Sequence, residues 1–202
     1  MKKFALTLAS ALLVMSAAGA MAAGVPSKTT TDVTQVKTVE AVKEDGTTEE
    51  ATWSIDVTED AAPVAEEISK IYQEVAVSGK AAVTYFPTET QEEIAAILPE
   101  TVKADSMTLN EFISVEIGGQ MDATTAAKAT FTFTTKYEKS QKVVVVVGIY
   151  DGTRDANGQY IVKWIPLDAE VLDNGDIAVE FPADVVAQMN DAVATAMAVL
   201  ND

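Results

Sequence analysis

From Met107 to Phe181 the chain alternates short runs of β-branched and aromatic residues with turn sequences. Runs of this length and spacing are typical of antiparallel sheets. Because five or six such strands commonly pack as two layers, we predict an antiparallel β-sandwich with an immunoglobulin-like layout within residues 101–202. The strand patterns cover residues 112–117, 129–135, 143–149, 160–172 and 177–181.

The first half of the chain has a mixed pattern, which predicts a small α/β domain at residues 33–100 and places the whole protein in the α+β class. A hairpin is expected at residues 33–57, with its turn at 44–47. The second strand of this hairpin alternates clearly. In the first strand, Val36, Val39 and Val42 are three residues apart, a spacing that suits neither face of a strand.

Helical and strand patterns then follow one another as far as Pro99. An apolar stripe from Val64 to Val75 predicts an amphipathic helix. A strand is predicted at residues 81–86, and a short helix from Thr88 ends before Pro99. After Pro99 the character changes, so we place the domain boundary near residues 100–105.

Two prolines in the second half indicate local structure. Pro166 interrupts the strand pattern of residues 160–172, and since proline cannot donate to a ladder, we expect it at an edge or a bulge. Phe181-Pro182 repeats the earlier Phe86-Pro87, and each pair stands before a helical pattern that has an acid two residues after the proline. The second of these helices is predicted at residues 183–200 and packs on its own sheet.

The N-terminus has the features of an export signal. Lys2 and Lys3 precede an apolar run from Phe4 to about Val14, and small residues continue to Ala22. This run is shorter than the ~20 residues of a spanning helix, so a signal peptide is favoured over a membrane anchor. We therefore predict a signal peptide at residues 1–22, a flexible Thr-rich tether at 23–32, and a secreted, extracellular protein that does not insert into the membrane after cleavage.

Two absent residue types restrict the chemistry of the chain. It has no cysteine and no histidine, and 31 acidic residues against 14 basic ones give a formal charge of −17. Disulfides, thiol nucleophiles, Ser-His-Asp triads and imidazole bases are therefore excluded. The acidic balance also argues against nucleic acid. We expect no catalytic residue, metal or cofactor, and the lack of disulfides fits bacterial export.

Carboxylates are the only plentiful titratable groups, so a glycan hydrolase with an acid pair is the enzyme to consider first. No candidate acid stands beside a cluster of aromatic residues, and runs of acids are usually solvated faces. The candidates are Glu89, Glu92, Glu93, Glu111, Glu116, Asp151 and Asp155.

The loop at residues 151–158 resembles a calcium loop in composition. With Gly158 at the sixth position of an EF-hand, the twelfth position is Trp164, where a bidentate glutamate is required. A hairpin loop is therefore the favoured interpretation. Asp151, Asp155 and Asn157 remain candidate ligand-binding residues of this loop.

Tyr160 and Trp164 lie on one face of a predicted strand and complete the set of candidate ligand-binding residues. If that face is exposed, it is a platform for sugar rings; if it is buried, it is core, which the small number of tryptophans favours. Loops 118–126 and 151–158 are the predicted recognition loops. The sequence thus favours a secreted, non-catalytic binding module for an extracellular protein or glycan, with a carboxylate-dependent glycan hydrolase and a structural cell-envelope component as alternatives.

Overall fold

The β-branched runs of the sequence form nine strands that join into one sheet, and every pairing between the described strands is antiparallel. A computed structural model describes residues 35–58, 81–119, 125–134 and 136–202. The predicted signal peptide, the tether and the helix at residues 64–75 lie outside the described residues.

The described elements alternate along the chain as follows. The strands are β1 Gln35–Val42, β2 Thr48–Glu50, β3 Ser54–Thr58, β4 Thr108–Gly118, β5 Ala126–Thr132, β6 Val143–Tyr150, β7 Lys163–Val171, β8 Ile177–Phe181 and β9 Ala194–Asn201. The α-helices are α1 Thr88–Ile97 and α2 Ala183–Asp191, and short 3-10 helices occupy Ala82–Tyr85 and Ala104–Ser106.

The sheet is strongly curled into a half-barrel, and the order of its strands explains why. The order is β2-β1-β5-β8-β7-β6-β9-β4-β3, so two strands that are neighbours in sequence stand at opposite ends of the sheet. Only residues 51–53 connect β2 to β3, which limits the separation from Glu50 to Ser54 to about 14 Å. In a flat sheet of nine strands the outer strands would be about 38 Å apart. The short connection therefore requires the sheet to curl.

Apolar residues pack on both faces of the sheet. The concave face holds one core, and α2 packs onto it through Val185, Val186 and Met189. The convex face holds a second core under α1 and the 3-10 helix at Ala82–Tyr85. Strand β6 is buried along its whole length because it contributes to both cores.

The antiparallel β architecture is confirmed, but the two-layer, immunoglobulin-like arrangement is not what the structure has. The described strands form a single curled sheet in which helices, and not a second sheet, cover the faces. The boundary predicted near residues 100–105 falls between α1 and β4, and strands on both sides of it belong to the same sheet.

Two local predictions were wrong. The C-terminal helix predicted at residues 183–200 ends at Asp191, and residues 194–201 form β9 between β6 and β4. The strand predicted at residues 81–86 is a 3-10 helix.

Pro166 lies at a locally free edge, which is where proline is tolerated. Strand β7 has a neighbour on each side in the sheet order, but β8 pairs only with its last part, Ala169–Val171. Pro166 is opposite Val146 of β6, beyond the reach of β8. The proline therefore removes no hydrogen bond from the described ladder between β7 and β8.

Candidate functional site

A cleft separates the two ends of the curled sheet, between β1 and β3. The two strands approach within 8 Å between Cα atoms, yet within the described residues they do not pair with each other. Strand β2 pairs with Glu40–Val42 of β1, and the backbone N–H of Ala51 donates to the carbonyl of Val39 at 3.0 Å, so this edge lacks a described partner only at residues 35–38. Strand β3 has β4 as its one described partner. Each strand therefore presents an edge to a cleft of about 820 Å³. This volume is within the range of ligand pockets in proteins.

The floor of the cleft is apolar and continuous with the concave core. Trp53 and Ile55 belong to that core, and Val36, Val39 and Ala51 pack against it. Trp53 is only 6% exposed. It is held at the kink between β2 and β3, where the backbone of Gly119, with a φ of 87°, passes beside it.

A β-bulge explains why the valines of β1 are three residues apart in sequence. Val36 pairs with Phe131 and Thr38 pairs with the adjacent Thr130, so Lys37 is an extra residue on β1. The extra residue shifts the alternation by one position, which lets Val36 and Val39 both pack against the concave core. The irregular spacing of these valines is therefore the signal of a bulged strand beside the cleft. The sequence alone shows the irregularity but not its cause.

The rim of the cleft is acidic. Glu40, Glu50 and Asp56 line it, and Lys37 is the one cation among its described lining residues. The Nζ atom of Lys37 is 2.6 Å from the carboxylate of Asp176, so its charge is already paired. A ligand therefore meets three carboxylates and no unpaired cation on the described rim.

Trp164, predicted as a candidate platform, is buried. It is 9% exposed and makes edge-to-face contacts with Phe86 and Phe112, at 5.3 and 5.9 Å between ring centroids. The absence of a side chain at Gly148 makes room for its indole ring. Trp164 therefore belongs to the convex core, and its ring has no free face for a sugar.

Tyr160 is partly buried at the border of the same core. The guanidinium of Arg154 lies 4.1 Å from the centroid of its ring, and Tyr150 packs edge-on at 5.2 Å. The side chains of Arg154 and Tyr150 therefore cover the ring of Tyr160.

The candidate acids of the loop at 151–158 stabilise its turns. Asp151 accepts a hydrogen bond from the backbone N–H of Thr153 at 2.8 Å. Asp155 accepts two, from the N–H groups of Asn157 and Gln159, each at 2.8 Å. The side-chain and backbone hydrogen bonds from Thr153 lower the pKa of Asp151, and the hydrogen bonds from Gln159 and Asn157 lower the pKa of Asp155. The carboxylates therefore act as acceptors within the loop, and residues 120–124 of the other predicted loop lie outside the described residues.

The acids considered for a hydrolase are dispersed over the molecule. Glu92 and Glu116 are exposed, whereas Glu111 is buried, with 2% of its surface exposed. Glu89 and Glu93 line a depression of about 380 Å³ on the other side of the sheet from the cleft, beside α1. Asp151 and Asp155, the hydrolase candidates with a described shift, both have a lowered pKa, whereas a general acid requires a raised one.

The described part of the chain contains no group of three or more acidic side chains placed to hold a metal ion. No helix among the described residues is both long and apolar enough to cross a bilayer. No protein-family model, no curated protein and no solved structure matches the chain.

Proposed function

We propose that this chain is an exported, non-catalytic binding module whose ligand is an extended segment of another extracellular protein, held in the cleft between β1 and β3. The observation that carries the proposal is the pair of strand edges that face each other above an apolar floor. Strand edges present unpaired N–H and C=O groups, which are templates for pairing with an added strand.

A bound strand would pair with one of the two edges and extend the sheet into the cleft, because β1 and β3 approach within 8 Å and a strand paired with both would need about 9.6 Å. Such a strand places alternate side chains on the floor, where Val39 and Ile55 offer apolar contacts. Backbone hydrogen bonds supply affinity in this mode of recognition, and pockets for alternate side chains supply specificity.

A protein ligand is favoured over a glycan because of where the aromatic residues lie. Both tryptophans of the chain are nearly buried, and the ring of Tyr160 is covered by Arg154 and Tyr150. Sugar recognition by stacking needs an exposed aromatic face. The lowered pKa of Asp151 and of Asp155 also makes these two carboxyls unsuited to act as general acids.

The proposal is tested with Trp53 as a reporter. The variant Trp164→Phe leaves Trp53, at the floor of the cleft, as the only tryptophan. We expect eight-residue peptides of alternating valine and polar residues to change its fluorescence on titration. Peptides that carry an N-methyl group at every residue are expected not to bind, because neither of their edges can donate backbone hydrogen bonds.

Two valine-to-lysine variants, one on the floor of the cleft and one outside the cleft, form a matched pair. Val39→Lys places an ammonium group at the floor of the cleft and is expected to abolish peptide binding. Val193→Lys is the control, since Val193 is 65% exposed and is not among the residues that line the cleft. Both variants are checked for folding by circular dichroism. If no peptide binds, or if the chain instead binds or hydrolyses a polysaccharide, the proposal is wrong.

A further inference from the structure

We infer that the bound strand alternates apolar with basic side chains, the basic ones facing the acidic rim of the cleft. This inference rests on the proposed function and names the chemistry of the ligand at the same site.

Alternation follows from the geometry of any strand that enters the cleft. Successive side chains of a strand point to opposite faces of the sheet. On the concave side they would meet Val36, Val39 and Ile55, which are apolar and packed on the core. Ligand side chains that point to the opposite side of the sheet would lie outside the core, beside the polar rim of the cleft. One ligand residue in two is therefore apolar, and the others are chosen by the charge of the rim.

The rim carries an unfavourable pair of like charges in the free protein. Glu40 and Glu50 are directly opposite each other in the register of β1 with β2. Like charges at directly opposed positions destabilise a sheet. Both residues line the cleft, so a cation bound there would neutralise a repulsion that the fold already contains.

Asp56 adds a third carboxylate from the other side of the cleft. It accepts a hydrogen bond from Ser54 at 2.6 Å and is exposed on β3. The cation of the described rim, Lys37, is engaged with Asp176. A basic ligand side chain thus meets acids on both strands, and an acidic one would meet repulsion from both.

The net negative charge of the whole chain also favours a basic ligand. A formal charge of −17 attracts cationic segments over distances of about a Debye length and repels anionic ones. A second depression at the turn between β1 and β2 is lined by Glu44, Asp45 and Glu49, and by Lys43, whose charge is paired with Glu49 at 2.6 Å. Approach to the cleft is therefore favoured electrostatically for a basic strand.

Four eight-residue peptides test the inference with Trp164→Phe as the reporter chain. Three alternate valine with lysine, serine or glutamate, and the fourth has four valines followed by four lysines. We expect the alternating lysine peptide to bind at least tenfold more tightly than the serine peptide and the glutamate peptide not to bind. The block peptide, which has the same composition as the first, is expected to bind at least tenfold more weakly.

Charge-reversal variants test whether the carboxylates of the rim cause the preference for a basic ligand. Glu50→Lys is expected to weaken binding of the alternating lysine peptide by about five- to tenfold and to leave binding of the serine peptide unchanged or stronger. Glu100→Lys makes the same change of charge at an exposed residue outside the lining of the cleft, and we expect less than a twofold effect.

The outcomes separate this inference from the proposed function. If the serine and lysine peptides bind equally, or if Glu50→Lys and Glu100→Lys act alike, the basic specificity is wrong and the peptide-binding function stands. If the block peptide binds as tightly as the alternating lysine peptide, the electrostatic attraction is unspecific and the inferred alternation of apolar and basic side chains is wrong. If no peptide binds and sedimentation shows self-association, a second copy occupies the edges and both proposals fail.

Discussion

At the scale of single residues, Asp176 carries the clearest energetic role. Its side chain is 0% exposed and receives hydrogen bonds from Lys37 and Lys136, each at 2.6 Å. Burial opposes the charge of this carboxylate, but the two lysines outweigh it and lower its pKa from 3.8 to about 2. Lys37 is on β1 and Asp176 precedes β8, so the ion pair connects strands that lie on either side of β5.

Replacement Asp176→Asn is expected to reduce the free energy of unfolding by about 2 kcal/mol at neutral pH, because charge-assisted hydrogen bonds to a buried group are lost. Because folding lowers the pKa of Asp176, the stabilisation is complete above about pH 4 and is lost as the pH falls towards 2. Urea denaturation between pH 7 and 2 should therefore show a difference between wild type and variant that shrinks in this window.

The control for this experiment is Asp173→Asn. Asp173 also pairs with a lysine, Lys139, but both side chains are largely exposed. Exposed ion pairs contribute little to stability, so no measurable change is expected. A variant difference for Asp176 that stays constant down to pH 2 would contradict the assigned role.

Gly148 is a second residue whose identity is dictated by a neighbour. A Cβ atom at this position would lie 2.8 Å from Cε3 of the Trp164 ring, which is itself held between Phe86 and Phe112. We expect Gly148→Ala to destabilise the protein by about 1–3 kcal/mol through overpacking. In a double-mutant cycle by chemical denaturation, Trp164→Leu should relieve part of this cost. Additive effects would contradict the contact.

At the scale of elements, the loop at 151–158 is an autonomous turn structure. Its aspartates receive backbone hydrogen bonds from residues two to four positions ahead, and the side chain of Arg154 donates to the carbonyl of Gly158 at 2.9 Å. These contacts are local, so the residue types that suggested a ligand site are accounted for by turn formation.

Asp155→Ala is expected to increase proteolytic cleavage and amide exchange within the loop, because two backbone N–H groups lose their acceptor. The rest of the spectrum should be unchanged in ¹H–¹⁵N NMR. Titration of the wild type with millimolar Ca²⁺ should leave the loop resonances in place. Saturable Ca²⁺-dependent shifts that disappear in the variant would show that the carboxylates do bind a cation.

The two helices show how much a short sequence motif determines. Both begin directly after a Phe-Pro pair, and the prolines preceding them have nearly the same backbone angles, φ of −54° and −55° and ψ of 152° and 150°. The prediction of a helix after each pair is confirmed, because proline at a helix start loses no hydrogen bond. What precedes each pair differs: a 3-10 helix stands before Pro87 and strand β8 before Pro182.

At the scale of the whole molecule, the sheet should be most stable at its centre. Strands β6 and β9 each have a neighbour on both sides and are buried throughout, whereas β2 is a three-residue edge strand whose residues are all exposed. We expect the amides of β6 and β9 to exchange only on global unfolding, and those of β2 to exchange fastest. Native-state hydrogen exchange measured by NMR checks this order. Equal protection of β2 and β6 would contradict it.

The curl of the sheet also determines the candidate site. The cleft exists because β1 and β3 are brought together by the short connection at residues 51–53, although six strands lie between them in the sheet order. Its lining combines residues of β1, β2, β3 and the end of β4. No local pattern indicates this combination, since it arises from strand pairing between distant parts of the chain.

Most strand positions, the two helix starts and the composition of the turns can be read from local patterns of residues. These features depend on local alternation, on proline and glycine, and on hydrogen bonds between near neighbours. The sequence also showed, by the spacing of Val36 and Val39, that β1 is irregular, although the bulge at Lys37 was needed to explain it.

The layer arrangement, the strand identity of residues 194–201 and the location of the cleft depend on long-range pairing, which is visible only in the folded chain. Residues 194–201 are apolar at nearly every position and rich in alanine, so their pattern fits a helix as well as a strand. These residues form a strand because pairing with β6 and β4 buries both of their faces. Burial and pairing between distant segments are collective properties of the folded chain, and a local pattern does not contain them.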